Sequence, residues 1–134
     1  MPRNVEMAAS LPASSDRLYD MYVDAAAHAA FTGQPVVIEP RAGASFSAFD
    51  GVLTGTILQV APKRLIVQSW RSANWPKEAI DSTLVLSFWP DGQGKGRIEL
   101  MHINVADDDF AGVSRGWEQY YFAPWRVYLE NDVG

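Results

Sequence analysis

The chain has 134 residues, 48% hydrophobic and 20% charged, the balance of one folded domain rather than of a disordered segment. Sixteen acidic against eleven basic residues leave a net charge of −5, which argues against an extended surface for nucleic acid or anionic membrane. With no cysteine, a disulfide framework, thiolate metal sites and a cysteine nucleophile are all excluded.

The opening residues Met1 to Glu6 place an acid where a secretory signal would have its apolar stretch, and no apolar run approaches the ~18 residues of a spanning helix. A cytoplasmic monomer or homodimer is expected, without contact to nucleic acid or membrane. Val5, Met7 and Ala9 alternate with more polar neighbours, a strand pattern that stops at Leu11-Pro12. Ser14-Ser15-Asp16 reads as a helix start, because a serine hydroxyl accepts from first-turn amides and an acid suits the positive helix end. Leu18, Tyr19, Tyr22 and Val23 give that helix one apolar face. A second short helix is expected over Ala25 to Phe31, stopped at Thr32-Gly33 and barred from continuing by Pro35.

From Val36 to Val105 the period changes to that of strands and turns. Phe49-Asp50-Gly51-Val52 is an Asp-Gly turn between apolar runs, and Ala61 to Arg64 turns a second hairpin. Ser82 to Trp89 places Leu84, Leu86 and Phe88 on one face; Ile98, Leu100 and His102 share a face of the next strand, with Arg97 and Glu99 on a wetter side. Gly92-x-Gly94-x-Gly96 joins two strands and opens no helix, so it is a hairpin turn rather than a phosphate loop. Asp107-Asp108-Asp109 reads as a solvated lead-in to a helix, lacking the alternation of a calcium loop. The last helix is expected over Val113 to Glu130, with Val113, Trp117, Tyr120, Tyr121, Pro124 and Tyr128 on one stripe, Trp125 at its edge, and a kink at Pro124. A sheet with one apolar face and one long amphipathic helix is satisfied when the sheet curls around the helix. The pattern therefore predicts an α+β fold, a single domain over 1–134.

The motif string itself resembles a known family. His28-x-x-Phe31-Thr32-Gly33 is followed by Gly43-x-x-Phe46-x-x-Phe49-Asp50-Gly51-x-x-x-Gly55, then by Ile66-Val67-Gln68-x-Trp70-Arg71-x-x-x-Trp75-Pro76, Leu100-x-His102 and Gly116-Trp117-x-x-Tyr120-Tyr121. The string is similar to the family named after the C-terminal domain of the activator of the 90-kDa heat-shock protein ATPase, within the SRPBCC superfamily of START-like and birch-pollen-allergen-like domains. The resemblance implies the helix-grip fold: a seven-stranded curved antiparallel sheet around a long C-terminal helix, two short helices after the first strand, and an enclosed cavity. It also implies a possible chaperone partner, although the eukaryotic activator engages the chaperone through a separate N-terminal domain. Fold likeness alone does not transfer activity.

Candidate functional residues follow from which faces should meet. Trp70, Trp75, Leu84, Leu86, Phe88, Ile98, Leu100, His102, Trp117, Tyr121 and Trp125 are expected to form the wall between sheet and last helix, as packed core or as a cavity for a small hydrophobic molecule. His102, in phase with Ile98 and Leu100, should point inward and titrate below the ordinary value near ~6.5, either as a core residue or orienting a ligand together with a tyrosine hydroxyl. His28 is read as structural or exposed. Arg71 and Glu99 are read as surface ion-pair partners, or Arg71 as a clamp at a cavity mouth. Two distant histidines without metal-ligand spacing argue against a metal, no cofactor motif is present, and no serine sits in a G-x-S-x-G turn. The expected function is noncatalytic binding of an apolar or amphipathic ligand. A co-chaperone-like interaction module and an enzyme of the cyclase or hydrolase kind stay as alternatives.

Overall fold

The computed structural model describes residues 3–131; the first two and last three residues of the domain expected over 1–134 lie outside the described residues. The chain runs β1 (Arg3–Leu11), α1 (Ser15–Val23), α2 (Ala25–Thr32), β2 (Ser45–Ala48), β3 (Leu53–Ala61), β4 (Leu65–Ser72), β5 (Ser82–Pro90) and β6 (Gly96–Val105). A C-terminal helical segment follows: a 3₁₀ turn at Asp107–Asp109, α3 (Phe110–Gly116), a π-helical stretch at Trp117–Phe122, and α4 (Ala123–Asn131). The sheet is antiparallel in the order β1-β6-β5-β4-β3-β2, so the first strand closes onto the last.

Local chemistry explains the boundaries. Ser14 caps α1 by accepting from the Arg17 amide, and Asp24 caps α2 by accepting from the Ala26 amide. Gly33 ends α2 in the left-handed region at φ 78°, where a residue without Cβ is unstrained. The Phe49-Asp50-Gly51 turn is made of three consecutive left-handed residues, as its Asp-Gly pair predicts.

Among the described residues six strands form, not the seven that the resemblance implies. Val36 to Ile38 makes one bridge to β2, a pair of backbone bonds between Val37 and Ser47 at 2.8 and 2.9 Å. Pro35 and Pro40 bracket this segment, and proline cannot donate to a ladder, so the pairing does not extend. The expected stripe on the last helix also changes. Val113, Trp117, Tyr121, Trp125 and Leu129 are the buried set, together with Phe122, while Tyr120 is 53% and Tyr128 37% exposed. Steps of four over-rotate an α-helix by about 40° each, so this stripe would drift off the sheet. The wider π turn takes rotation back, shown by the Ala123 amide donating to the Glu118 carbonyl five residues earlier. That turn directly precedes Pro124, which has no amide to give; the disturbance expected at the proline is a change of helical pitch in the residues before it.

β4, β5 and β6 bury every second residue, so Ile66, Gln68 and Trp70, then Ser82, Leu84, Leu86 and Phe88, then Ile98, Leu100 and His102 face the helices. Registers such as Gln68↔Leu84↔His102 align these side chains in rows across the sheet. β3 passes so close to β4 that a Cβ on Gly55 would lie 1.9 Å from the Ser69 carbonyl oxygen. Gly55→Ala should therefore force backbone displacement and cost about 1–3 kcal/mol. Urea unfolding is the measurement; a midpoint equal to that of the parent chain would refute the close approach.

Candidate functional site

The inward set splits into two halves. Leu84, Leu86, Phe88, Ile98 and Leu100 are buried in the core under α1, where Tyr19 meets the Phe88 ring edge-on at 5.6 Å. Trp125 also faces this filled half: its ring stacks on Phe31 at 4.1 Å, and its indole N–H is directed at the Met21 sulfur. Trp70, Trp75, His102, Trp117 and Tyr121 gather at the other half, in an aromatic cluster with centroid separations from 4.6 to 6.5 Å.

Beside this cluster lies a groove of about 400 Å³ between α3, the π stretch, the β2–β3 turn and the end of β4. Of the residues expected as cavity wall, Trp70, Trp117 and Tyr121 line it. The rest of the lining comes from Phe49, Val52, Leu53, Ser72, Asn74, Asp109, Gly112, Val113, Gly116 and Tyr120. Two of these, Gly112 and Gly116, sit one helical turn apart on the face of α3 that would otherwise carry side chains into the space. A Cβ on Gly116 would meet Tyr120 at 3.7 Å, an ordinary contact, so that position has room. The paired glycines were a readable signal, since small residues four apart in an aromatic-rich helix leave a gap.

His102 is fully buried on the cluster's floor, and both ring nitrogens are engaged. Ser82 Oγ donates to the Trp70 carbonyl at 2.7 Å, so it accepts from His102 Nε2–H, also at 2.7 Å. The Trp117 indole N–H donates to Nδ1 at 3.1 Å. Burial lowers the imidazole to about 3, and a proton on Nδ1 would also face the Trp117 donor. The Ser82–His102 contact therefore does not activate a nucleophile: the nitrogen facing the hydroxyl carries the proton, and no carboxylate holds the other. His28 follows the same logic from α2. Its Nδ1–H donates to the Tyr22 carbonyl and its Nε2 accepts from the Tyr121 hydroxyl, both at 2.8 Å. Burial lowers it to about 4 against the opposing effect of the Tyr22 carbonyl, and burial pushes the Tyr121 hydroxyl well above its ordinary value. Tyr22 in turn donates to Gln68 Oε1 at 2.7 Å, a bond that gives the buried amide on β4 a partner.

At the rim, Asp109 departs from the solvated role expected of the acidic triplet. It is half-buried and its Oδ2 accepts the Trp75 indole N–H at 2.8 Å. Arg71 is not a clamp at this mouth. It pairs with Asp81 and donates to the carbonyls of Pro76 and Ala79, tying down the loop after β4, while Glu99 pairs with Arg97. The Trp70 indole N–H, in the groove wall, is buried without an acceptor. Among the described residues no group of three or more His, Asp or Glu is placed to hold a metal ion, and no helix is long and apolar enough to cross a membrane.

Residues 12–130 match the family described as activator of Hsp90 ATPase homolog 1-like protein. The activator of 90 kDa heat shock protein ATPase homolog of Dictyostelium discoideum is 30% identical over 101 residues, covering 75% of this chain and 26% of that protein. The human homolog 1 is 28% identical over 109 residues, 81% of this chain and 32% of that one, so the chain spans about a quarter to a third of the curated relatives it matches. The crystal structure of an HSP90 activator from Plasmodium falciparum superposes with a TM-score of 0.86 at 20% identity, covering 95% of this chain and 96% of the other. The chain belongs to the activator of Hsp90 ATPase homolog 1-like family, and it has that activator's helix-grip fold, here with six strands.

The two histidines set the acid response of the fold. In an unfolded chain each protonates near ~6.5, whereas the folded chain holds them neutral to about 3 and about 4. Stability is complete above the unfolded value and falls as pH drops, by up to about 1.4 kcal/mol per pH unit for each histidine. Between pH 6.5 and 5 the wild-type melting temperature should decline steeply. His102→Gln should be less stable at pH 7 but show a visibly shallower decline; an unchanged slope would contradict the buried neutral assignment.

Proposed function

We propose that the groove beside Trp70, Trp117 and Tyr121 binds a small apolar or amphipathic molecule without chemical conversion. The observation that carries this is about 400 Å³ of space bounded mainly by aromatic and aliphatic side chains, beside the buried core. Interiors are normally close-packed, so ligand-sized apolar space with few polar groups is the usual form of a binding site. An aromatic ring system burying roughly 200 Å² would gain about 5 kcal/mol before the costs of association. That places the affinity in the sub-millimolar to millimolar range and sets the range to titrate. Orientation would fall to groups that line the space, because both nitrogens of His102 are already used.

The test is tryptophan fluorescence or calorimetry with neutral naphthyl and fatty alcohols, on the parent chain and on Gly116→Leu, which fills the groove from the helix side. Saturable binding that the variant loses, at an unchanged melting temperature, is the expected result. Failure of every compound to bind, or binding indifferent to the filled groove, would sink the idea.

A second function is favoured by a separate observation: the family relatives are described as activators of the 90-kDa heat-shock protein ATPase, one of them matching this chain over nearly its whole length. The C-terminal segment exposes Val127 and Tyr128 away from the groove lining, apolar side chains available to a chaperone. Added to a 90-kDa heat-shock chaperone, the domain should then raise ATP turnover, and Val127→Asp should reduce the effect. Turnover unaffected by the domain would eliminate this role.

A further inference from the structure

The polar groups of the groove are few and unbalanced. Among its lining residues Asp109 alone carries an ionised side chain, and the other polar contributions are Ser72, Asn74, the indoles and the tyrosines. The Asp109 carboxylate is held in place: Trp75 donates to Oδ2, while Oδ1 is turned toward Gly112, where a Cβ would sit 3.0 Å away. Among the described residues no cation pairs with it. Arg71, on the strand that supplies Trp70, is committed to Asp81, and the Arg3 guanidinium lies over the Phe110 ring at 3.9 Å. Asp107 and Asp108 add negative charge just outside. The rest of the lining is aromatic or aliphatic, with the rings of Phe49, Trp70, Trp117, Tyr120 and Tyr121 around the space.

We propose that the groove selects aromatic or aliphatic molecules bearing an ammonium group, which pairs with Asp109 while the apolar body lies against Trp70, Trp117 and Tyr120. The proposal rests on the groove being a binding site, and names its ligand class. An anionic amphiphile would bring a second negative charge against a half-buried carboxylate and lose on both Coulomb and desolvation terms. A cation gains from the carboxylate and from the faces of the surrounding rings, which attract positive charge.

Three probes of matched shape separate the possibilities: 1-naphthylmethylamine, 1-naphthylmethanol and 1-naphthoate, titrated at pH 7.5 and followed on the indole N–H resonances. The amine should bind about tenfold more tightly than the alcohol, with naphthoate weakest. Asp109→Asn, which keeps an amide oxygen for Trp75, should close the roughly tenfold gap between the amine and the alcohol. Equal binding of all three probes, all lost in Gly116→Leu, would overturn charge selection and leave the groove as a site. A preference for the amine that survives Asp109→Asn would overturn the role of Asp109. No binding of any probe would overturn the groove itself, and with it this proposal.

Discussion

Two uncharged imidazoles hold the C-terminal segment to the rest of the fold. His102 reaches it from the sheet through Trp117, and His28 reaches it from α2 through Tyr121, four residues further on. Each ring donates from one nitrogen and accepts at the other, so each is useful only while neutral, and burial keeps it so. Networks of this kind are costly when half-satisfied and rigidifying when complete. The groove depends on them indirectly, because Trp117 and Tyr121 form part of its wall and cannot swing into the space while their polar tips are bound.

The π turn is the geometric counterpart of that clamp. A plain α-helix could not keep Val113, Trp117, Tyr121, Trp125 and Leu129 on one side over four turns, yet all five are buried. Widening the helix where both clamped residues sit aligns the two histidine contacts. It also leaves Gly112 and Gly116 over the groove. Helix pitch, hydrogen-bonding pattern and open volume thus meet within about ten residues.

Much of the fold was legible because it rests on short-range rules. Ser14 and Gly33 cap helices for reasons visible within four residues, and the alternation of Ile98, Leu100 and His102 fixes their facing without any partner being known. The seven strands expected came from the resemblance, and it could not show that Val36 to Ile38, with a proline on either side, is limited to one bridge. The site was only partly legible. Tyr120 and Tyr128 match a 3.6-residue stripe, which the π turn replaces. Asp109 looked like one of three solvated acids because its partner, Trp75, lies 34 residues away on a loop whose path is set by Arg71. The division of the inward face into a packed half and a hollow half was hidden for a simpler reason. It depends on where α1 and α2 stop covering the sheet, a distance that no local pattern encodes.

The strand order carries a consequence for how the molecule comes into being. Among the described residues β1 pairs only with β6, Val5 lying opposite His102, so β1 has no sheet partner until nearly a hundred residues more have been synthesised. At roughly 5–20 residues per second that is a wait of about 5–20 s. During it a nine-residue strand edge is unpaired, and pairing so distant in sequence is the slow kind. The alternation of Glu6 and Ser10 with Val5, Met7 and Ala9 keeps one face of the waiting strand polar, a modest guard against premature pairing with other chains. Pairing of β1 with β6 is therefore a late event, setting an edge strand onto a sheet whose other strands have already been laid down.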